Sequence, residues 1–226
     1  MRFVLRLAGS GVFLCAPFIS AVLFAQTYTF VTNDPIREQL LTMGKPGLAV
    51  AVARDRVIEI LQSRNSCSDW FQKVDPNAAS TFASLKFIID TDGPKDVFGL
   101  QSHSGEMLLK HPYSARAIEN AGPNSIVTLN AKGAFFVRVA PALRQENNSN
   151  WFRPSGSCYL LVGSYRGDTL TAQITILLHE LGHVVGRLPD DSDELSGKSG
   201  RNTAEVLRFC RRQIKAAAGS PLRSGP

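Results

Sequence analysis

Residues 168–191 read DTLTAQITILLHELGHVVGRLPDD, and the spacing of apolar residues in this stretch decides the fold. Six apolar side chains recur at helical spacing: Leu170, Ile174, Leu177, Leu181, Val184 and Leu188. Three more fill much of the remaining circumference: Ile176, Leu178 and Val185. Asp168 or Thr169 is suited to cap the N-terminus. Because the helix is apolar nearly all round, we expect it to be buried, with the rest of the chain organised around it.

The centre of this helix carries the pentapeptide His179-Glu180-Leu181-Gly182-His183. Residues four apart lie on one face of an α-helix, so His179 and His183 can direct two imidazoles at one zinc ion. Glu180 then lies beside the metal without binding it, where it can take a proton from an activated water molecule. Buried imidazoles and a buried carboxylate are costly without a partner, and a metal ion supplies one. The pattern therefore predicts Zn²⁺ as a cofactor.

This H-E-x-x-H pattern resembles the zinc-binding motif of the zincin metallopeptidases, and the resemblance is confined to residues 168–191. Gly186 extends it to H-E-x-x-H-x-x-G, the start of the metzincin signature. In metzincins this glycine lets the chain turn sharply, so that a third ligand three residues later reaches the zinc. Here that position is Pro189, which cannot bind a metal. No methionine follows Met107, so the Met-turn of the family is missing.

The resemblance implies that a nearby residue supplies the third ligand, and Asp190 and Asp191 follow Pro189 directly. Some small secreted bacterial metzincins use an aspartate in this role. Of the two, we favour Asp191, since Pro189 stiffens the exit from the helix and a second residue gives the chain room to turn back.

Glu205 is an alternative third ligand, because it lies 22 residues after His183, near the spacing used by another zincin branch. On the last predicted helix, however, it points away from Leu207, towards solvent. A water molecule or a remote histidine, His103 or His111, is the remaining alternative.

In zincins a strand upstream of the zinc helix binds the peptide substrate as an additional strand. Residues 125–129 (SIVTL) are short and β-branched, and residues 135–137 (FFV) follow a polar turn, which predicts a hairpin. The resemblance implies that residues 126–130 form the substrate edge, through Ile126, Thr128 and Asn130. The alternative is an ordinary core strand. Four side chains are available as oxyanion donors: His103, His111, Tyr159 and Tyr165.

The first 25 residues are typical of a secretory signal peptide. Arg2 and Arg6 form a basic start, residues 12–24 are mostly apolar, and Ala25 is a small residue before a plausible cleavage point. An uncleaved membrane anchor is the alternative. We expect a secreted or periplasmic protein with no stable membrane association after cleavage.

The charge of the chain is mildly basic, with 25 Lys and Arg against 19 Asp and Glu. Loss of Arg2 and Arg6 with the signal leaves 23 against 19, and much of the excess lies in residues 198–223. A solvated basic helix accounts for this balance, so we expect no nucleic acid as a partner. The resemblance to zincins implies a peptide or protein substrate.

Three cysteines follow the signal segment, which in an oxidising compartment predicts one disulfide and one free thiol. We predict that Cys67 pairs with Cys210. Cys210 lies on the inward face of the last predicted helix, and Cys67 lies just before Trp70 and Phe71, which we expect in the same core. Cys158 can then serve as a small apolar residue.

The sequence therefore predicts an α+β fold: a single zincin-like domain in which a small mixed sheet packs on the buried zinc-binding helix. We expect this domain to cover residues 26–218, followed by a disordered tail at 219–226. Asn202 or Thr203 is suited to cap a last helix that ends at Ala218.

The predicted function is an exported peptidase, with His179 and His183 binding zinc and Glu180 acting as the general base. One alternative is a zinc-containing binding protein on a peptidase-like fold without turnover. Another is a plain secreted domain in which the histidines are satisfied core residues.

Overall fold

A computed structural model of the chain describes residues 34–147, 149–193 and 195–220. These residues belong to one compact unit that combines helices with small sheets, so the α+β class and the single domain are confirmed. The predicted signal peptide at 1–25 lies outside the described residues. None of the helices described is long and apolar enough to cross a membrane.

The described residues form six helices and nine strands. The helices are α1 (Pro35–Thr42), α2 (Gly44–Gln62), α3 (Ser66–Gln72), α4 (Ala78–Ala83), α5 (Leu170–Val184) and α6 (Lys198–Gly219). The strands are β1 (Lys86–Asp90), β2 (Val97–Gln101), β3 (Met107–Lys110), β4 (Ala115–Ala117), β5 (Ile126–Asn130), β6 (Val139–Gln145), β7 (Phe152–Tyr159), β8 (Leu161–Val162) and β9 (Tyr165–Arg166).

Helix α5 forms the centre of the fold. The hydroxyl of Thr169 caps its first turn by accepting a hydrogen bond from the amide of Ala172, at 3.3 Å. Every residue from 172 to 184 is buried. The helix packs against α2, α6, β4 and the β8–β9 ribbon, so it is covered on several sides, as its continuous apolar pattern predicts.

The sheet nearest to α5 has three strands in the order β1–β5–β4. Strand β5 is parallel to β1 and antiparallel to β4, so both of its backbone edges are occupied. The prediction that residues 126–130 form a substrate edge is therefore wrong. Asn130 is fully buried, and its side-chain amide donates to the carbonyls of Pro94 and Tyr113. Thr128 faces Arg116 and Ile88 in the strand register, and Ile126 is paired with Lys86.

The predicted hairpin after β5 is also wrong, because residues 131–137 form turns rather than a second strand. Phe135 is completely buried in the core, and its carbonyl accepts a hydrogen bond at 3.0 Å from the side-chain amide of Gln173 on α5. A second sheet has the strand order β3–β2–β6–β7, and β8 pairs with β9 in a two-stranded ribbon.

Helix α6 begins at Lys198, earlier than predicted, so Asn202 and Thr203 lie in its second turn and do not cap it. The predicted inward face is confirmed, since these residues are buried: Thr203, Val206, Leu207, Cys210 and Ile214. The helix ends at Gly219, one residue beyond the predicted end, and the carbonyl of Ser220 accepts a hydrogen bond from Arg56. The rest of the predicted tail, residues 221–226, lies outside the described residues.

The predicted disulfide between Cys67 and Cys210 is confirmed. Both cysteines are fully buried, and the bond joins α3 to the inward face of α6. Beside it, Trp70 stacks on Phe209 with ring centroids 5.3 Å apart. Within the described residues Cys158 is a free thiol of intermediate exposure.

Replacing both bridged cysteines, as Cys67→Ala/Cys210→Ala, should strongly destabilise the protein. The bond links residues 143 positions apart, and the chain-entropy model gives a loss of about 5 kcal/mol for a loop of this length. Urea unfolding of the wild type and the variant measures this difference. Cys158→Ala is the matched control and should change the free energy of unfolding much less. Equal unfolding midpoints for the wild type and the double variant would contradict the assignment.

Candidate metal centre

Two histidines of α5 point their rings at one spot. The Nε2 atoms of His179 and His183 lie 3.0 Å apart, because the residues are one helical turn from each other on the same face. Their ring centroids are 4.8 Å apart and the ring planes are tilted by 59°. Both side chains are buried, with 7% of His179 and 4% of His183 exposed. Helix α5 alone therefore brings two potential nitrogen ligands together.

A tight turn reverses the chain after α5. Gly186 has a φ of +68°, and its amide donates to the carbonyl of His183, while the amide of Arg187 donates to Gly182. This pair of hydrogen bonds is the Schellman motif that ends many helices at a glycine. Leu188 then packs against Gly182 and is 2% exposed, so the chain runs back along the helix.

This reversal brings Asp191 to the two histidines. Its Oδ2 lies 3.0 Å from Nε2 of His179, and its Oδ1 lies 3.3 Å from Nε2 of His183. Burial opposes ionisation of Asp191, but hydrogen bonds and electrostatic attraction with His179 and His183 together outweigh it and hold the pKa of this carboxyl well below its usual range. Burial lowers the pKa of His183, but the hydrogen bond with Asp191 and the negative charges of Glu180 and Asp191 together outweigh it, so that this pKa is raised.

The other candidate third ligands lie elsewhere. The carboxylate of Asp190 accepts from the Ser192 hydroxyl at 2.8 Å and is exposed, so of the two aspartates only Asp191 faces the histidines. Glu205 faces solvent and pairs with Arg208, as its helical position predicts. His103 lies in the exposed turn between β2 and β3, and His111 is exposed after β3.

The geometry of the three groups fits a small divalent cation. Their ligand atoms all lie within 4.8 Å of one another, and the close contacts measure 3.0, 3.0 and 3.3 Å. A tetrahedral zinc ion with bonds of about 2.0–2.1 Å holds its ligand atoms about 3.3 Å apart. His179, His183 and Asp191 can therefore hold a metal ion with little rearrangement, and three protein ligands leave one position of a tetrahedron open.

Glu180 lies on α5 between the two histidines and is 5% exposed. Burial raises the pKa of its carboxyl, and the neighbouring His179 and His183 oppose this shift. The backbone of Ala117 in β4 hydrogen-bonds the carboxylate and also opposes the shift. A cation held by the histidines would favour the ionised form, which is the form that can accept a proton.

Two residues of α6 contact the metal-ligand groups, and sequence reasoning assigned them to a helix cap instead. Thr203 Oγ1 lies 3.0 Å from Nδ1 of His179, and the side-chain amide of Asn202 donates to Oδ2 of Asp191 at 3.1 Å. The sequence does contain a signal for the Thr203 contact: Thr203 is the one polar residue on the otherwise apolar inward face of α6.

The oxyanion donors considered from the sequence are not gathered at this site. Tyr159 is 53% exposed at the end of β7. The hydroxyl of Tyr165 in β9 is buried without a hydrogen-bond partner among the residues that the structure describes, and burial raises the pKa of this phenol.

Comparison of the chain with protein-family models, with curated proteins and with solved structures finds no match. The function therefore has to follow from the chemistry of this site.

The third-ligand assignment predicts that two neighbouring aspartates behave differently. Asp191→Ala should lower metal affinity strongly because it removes a ligand. Asp190→Ala should leave it nearly unchanged, because the Asp190 carboxylate is exposed and accepts from the amide and hydroxyl of Ser192. His179→Ala should abolish stoichiometric binding. Metal content after dialysis, measured by plasma mass spectrometry, reports all three. Full metal content in Asp191→Ala would contradict the assignment.

The turn after α5 predicts that replacing Gly186 by alanine weakens both stability and metal binding, whereas replacing Gly200 does not. In Gly186→Ala the new methyl group would meet the Asn120 side chain at 1.8 Å and would sit at positive φ, so the variant should lose about 1–3 kcal/mol of stability and bind metal more weakly. Gly200→Ala on exposed α6 meets nothing within 4 Å and should gain up to about 1 kcal/mol. Thermal unfolding and metal titration test both. Wild-type metal affinity in Gly186→Ala would show that the turn does not position Asp191.

Proposed function

We propose that the protein is a zinc-dependent peptidase of the zincin type, in which His179, His183 and Asp191 bind zinc and Glu180 is the general base. The observation that carries this proposal is the convergence of the two histidine Nε2 atoms and the Asp191 carboxylate, with contacts of 3.0–3.3 Å, next to Glu180 in the chain. Three protein ligands with nitrogen and oxygen donors are typical of catalytic zinc sites, whereas structural zinc sites have four.

Zinc is the metal that this combination of residues favours. Two histidines and one carboxylate also suit Fe²⁺ in oxygenases. A glutamate next to the first histidine on the same helix is the arrangement used for hydrolysis, where a base close to the metal is needed. Metal analysis of the purified protein separates the two ions.

A bound zinc ion would supply a Lewis acid that polarises the scissile carbonyl and makes a nearby water molecule more acidic. Glu180 would take one proton from the attacking water as its oxygen bonds to the carbonyl carbon. Glu180 would then pass that proton to the amine nitrogen as the C–N bond breaks. The backbone of Ala117 also favours the ionised form of this carboxylate, which is the form that accepts the proton.

Strand β4 is the surface of the sheet best suited to hold a peptide substrate. It lies at the edge of the three-stranded sheet, it packs beside α5, and its Ala117 backbone contacts Glu180. A peptide that adds to this edge as an extra strand would run past the general base. We therefore assign to β4 the role that the sequence suggested for residues 126–130.

Export to an oxidising compartment completes the proposal. The Cys67–Cys210 disulfide is compatible with a secreted or periplasmic location, since such bonds persist in oxidising surroundings.

A zinc-containing binding protein without turnover is the second candidate, and the enclosure of the site favours it. His179, Glu180 and His183 are 7%, 5% and 4% exposed, and the side chain of Asp191 is 17% exposed. Access of a substrate carbonyl to these residues is therefore the property that separates the two candidate functions.

Glu180→Gln tests the proposed base, since glutamine keeps the size of the side chain but cannot accept a proton. Peptide hydrolysis should fall by roughly 10²–10⁴-fold. Metal content should stay at the wild-type level, and Glu205→Gln on exposed α6 should behave like the wild type. Cleavage of a quenched fluorescent peptide library provides the assay.

The outcomes of this assay test the role of Glu180 and distinguish the two candidate functions. Unchanged turnover in Glu180→Gln would exclude Glu180 as the base. A folded, zinc-loaded wild type that cleaves no peptide in the library would favour the binding protein.

A further inference from the structure

We infer that Thr203 and Asn202 of α6 are positioning residues of the metal centre, which they complete by orienting His179 and Asp191. This inference rests on the proposed metal site and extends it to a helix that provides no metal ligand itself.

Thr203 fixes the ring of His179. Its Oγ1 lies 3.0 Å from Nδ1, while Nε2 of the same ring faces His183 and Asp191. A neutral imidazole carries one proton, and a proton on Nδ1 donated to the Thr203 oxygen leaves the lone pair of Nε2 free for a metal. The contact therefore holds the ring orientation, and the hydroxyl can accept the Nδ1 proton in the tautomer that metal binding needs.

Asn202 holds the segment that carries Asp191. Its side-chain nitrogen donates at 2.9 Å to the carbonyl of Pro189 and at 3.1 Å to Oδ2 of Asp191. One amide group thus holds both the backbone before the aspartate and the carboxylate itself. Because Asp191 follows a turn and lies outside any helix or strand, α6 gives this ligand a fixed support.

Burial argues against a purely structural role for these two residues. Asn202 is 6% exposed and Thr203 is 8% exposed, on a helix face that is otherwise apolar. Apolar residues of similar size would pack there without any desolvation cost. The polar atoms of both residues find partners in the metal-ligand groups and in the segment that carries them.

The disulfide anchors this support. Cys210 lies seven residues, or about two helical turns, beyond Thr203 and is buried on the same face of α6. Its bond to Cys67 ties α6 to α3, and α6 also packs directly on α5. The positions of Thr203 and Asn202 relative to α5 are thereby held by covalent and apolar contacts.

The test compares metal affinity in variants that keep or remove each hydrogen bond. Thr203→Val keeps the shape and removes the acceptor, and Asn202→Ala removes both donors. Each should raise the zinc dissociation constant by roughly 10–100-fold, the usual effect of losing such an outer contact. Thr203→Ser restores the hydroxyl and should bind zinc within a few-fold of the wild type. Competition with a chromophoric chelator at fixed pH measures these constants.

Two further measurements separate positioning from folding. Visible absorption of the Co²⁺-loaded protein reports ligand geometry, and it should change in Thr203→Val but not in Thr203→Ser. Thermal unfolding of the metal-free variants shows whether the fold persists. If Thr203→Val does not fold, Thr203→Ala takes its place. Glu205→Gln, on the same helix but directed to solvent, is the control.

The results distinguish failure of this inference from failure of the proposed function. A wild type that binds zinc, together with Thr203→Val and Asn202→Ala variants of equal affinity, overturns the positioning role and leaves the metal site intact. A folded wild type that binds no divalent metal overturns both. Weaker binding in both variants with rescue by Thr203→Ser supports the inference.

Discussion

The burial of two imidazoles and a carboxylate inside an apolar helix is the constraint on which the rest of the structure depends. Each buried polar group must find a partner beyond its own helix, because unpaired polar atoms in a core are costly. His179 meets Thr203 and Asp191, His183 meets Asp191, and the carboxylate of Glu180 meets the backbone of Ala117. A loop, a strand and a second helix must therefore converge on the middle of α5.

The same constraint explains the charge balance at the site. Burial raises the pKa of Glu180, whereas hydrogen bonds from the histidines hold Asp191 ionised. A divalent cation between His179, His183 and Asp191 would balance both carboxylates in their charged forms. The arrangement thus suits a bound metal, since a cation at His179, His183 and Asp191 would give both carboxylates a countercharge.

Stability and function are linked through α6. Its apolar face covers α5, its cysteine anchors it to α3, and its two polar residues hold the ligand groups. A change that shifts this helix would alter the packing on α5 and the positions of the candidate metal ligands together. Because the site is buried, access of a peptide substrate to it is the property that would separate a peptidase from a binding protein. That access would depend on how easily the chain around Asp191 and β4 opens.

Local patterns determined the central helix, its two histidines, the glycine turn and the inward face of α6, because helical periodicity and helix termination depend on near neighbours. The tertiary structure decided the rest. It selected Asp191 over Asp190 and Glu205 through the path of the returning chain, and it buried β5 between two strands, which a short β-branched segment cannot reveal. It also turned Asn202 and Thr203 from expected caps into partners of the site. Such contacts join residues 11 to 24 positions apart, and only packing brings those residues together.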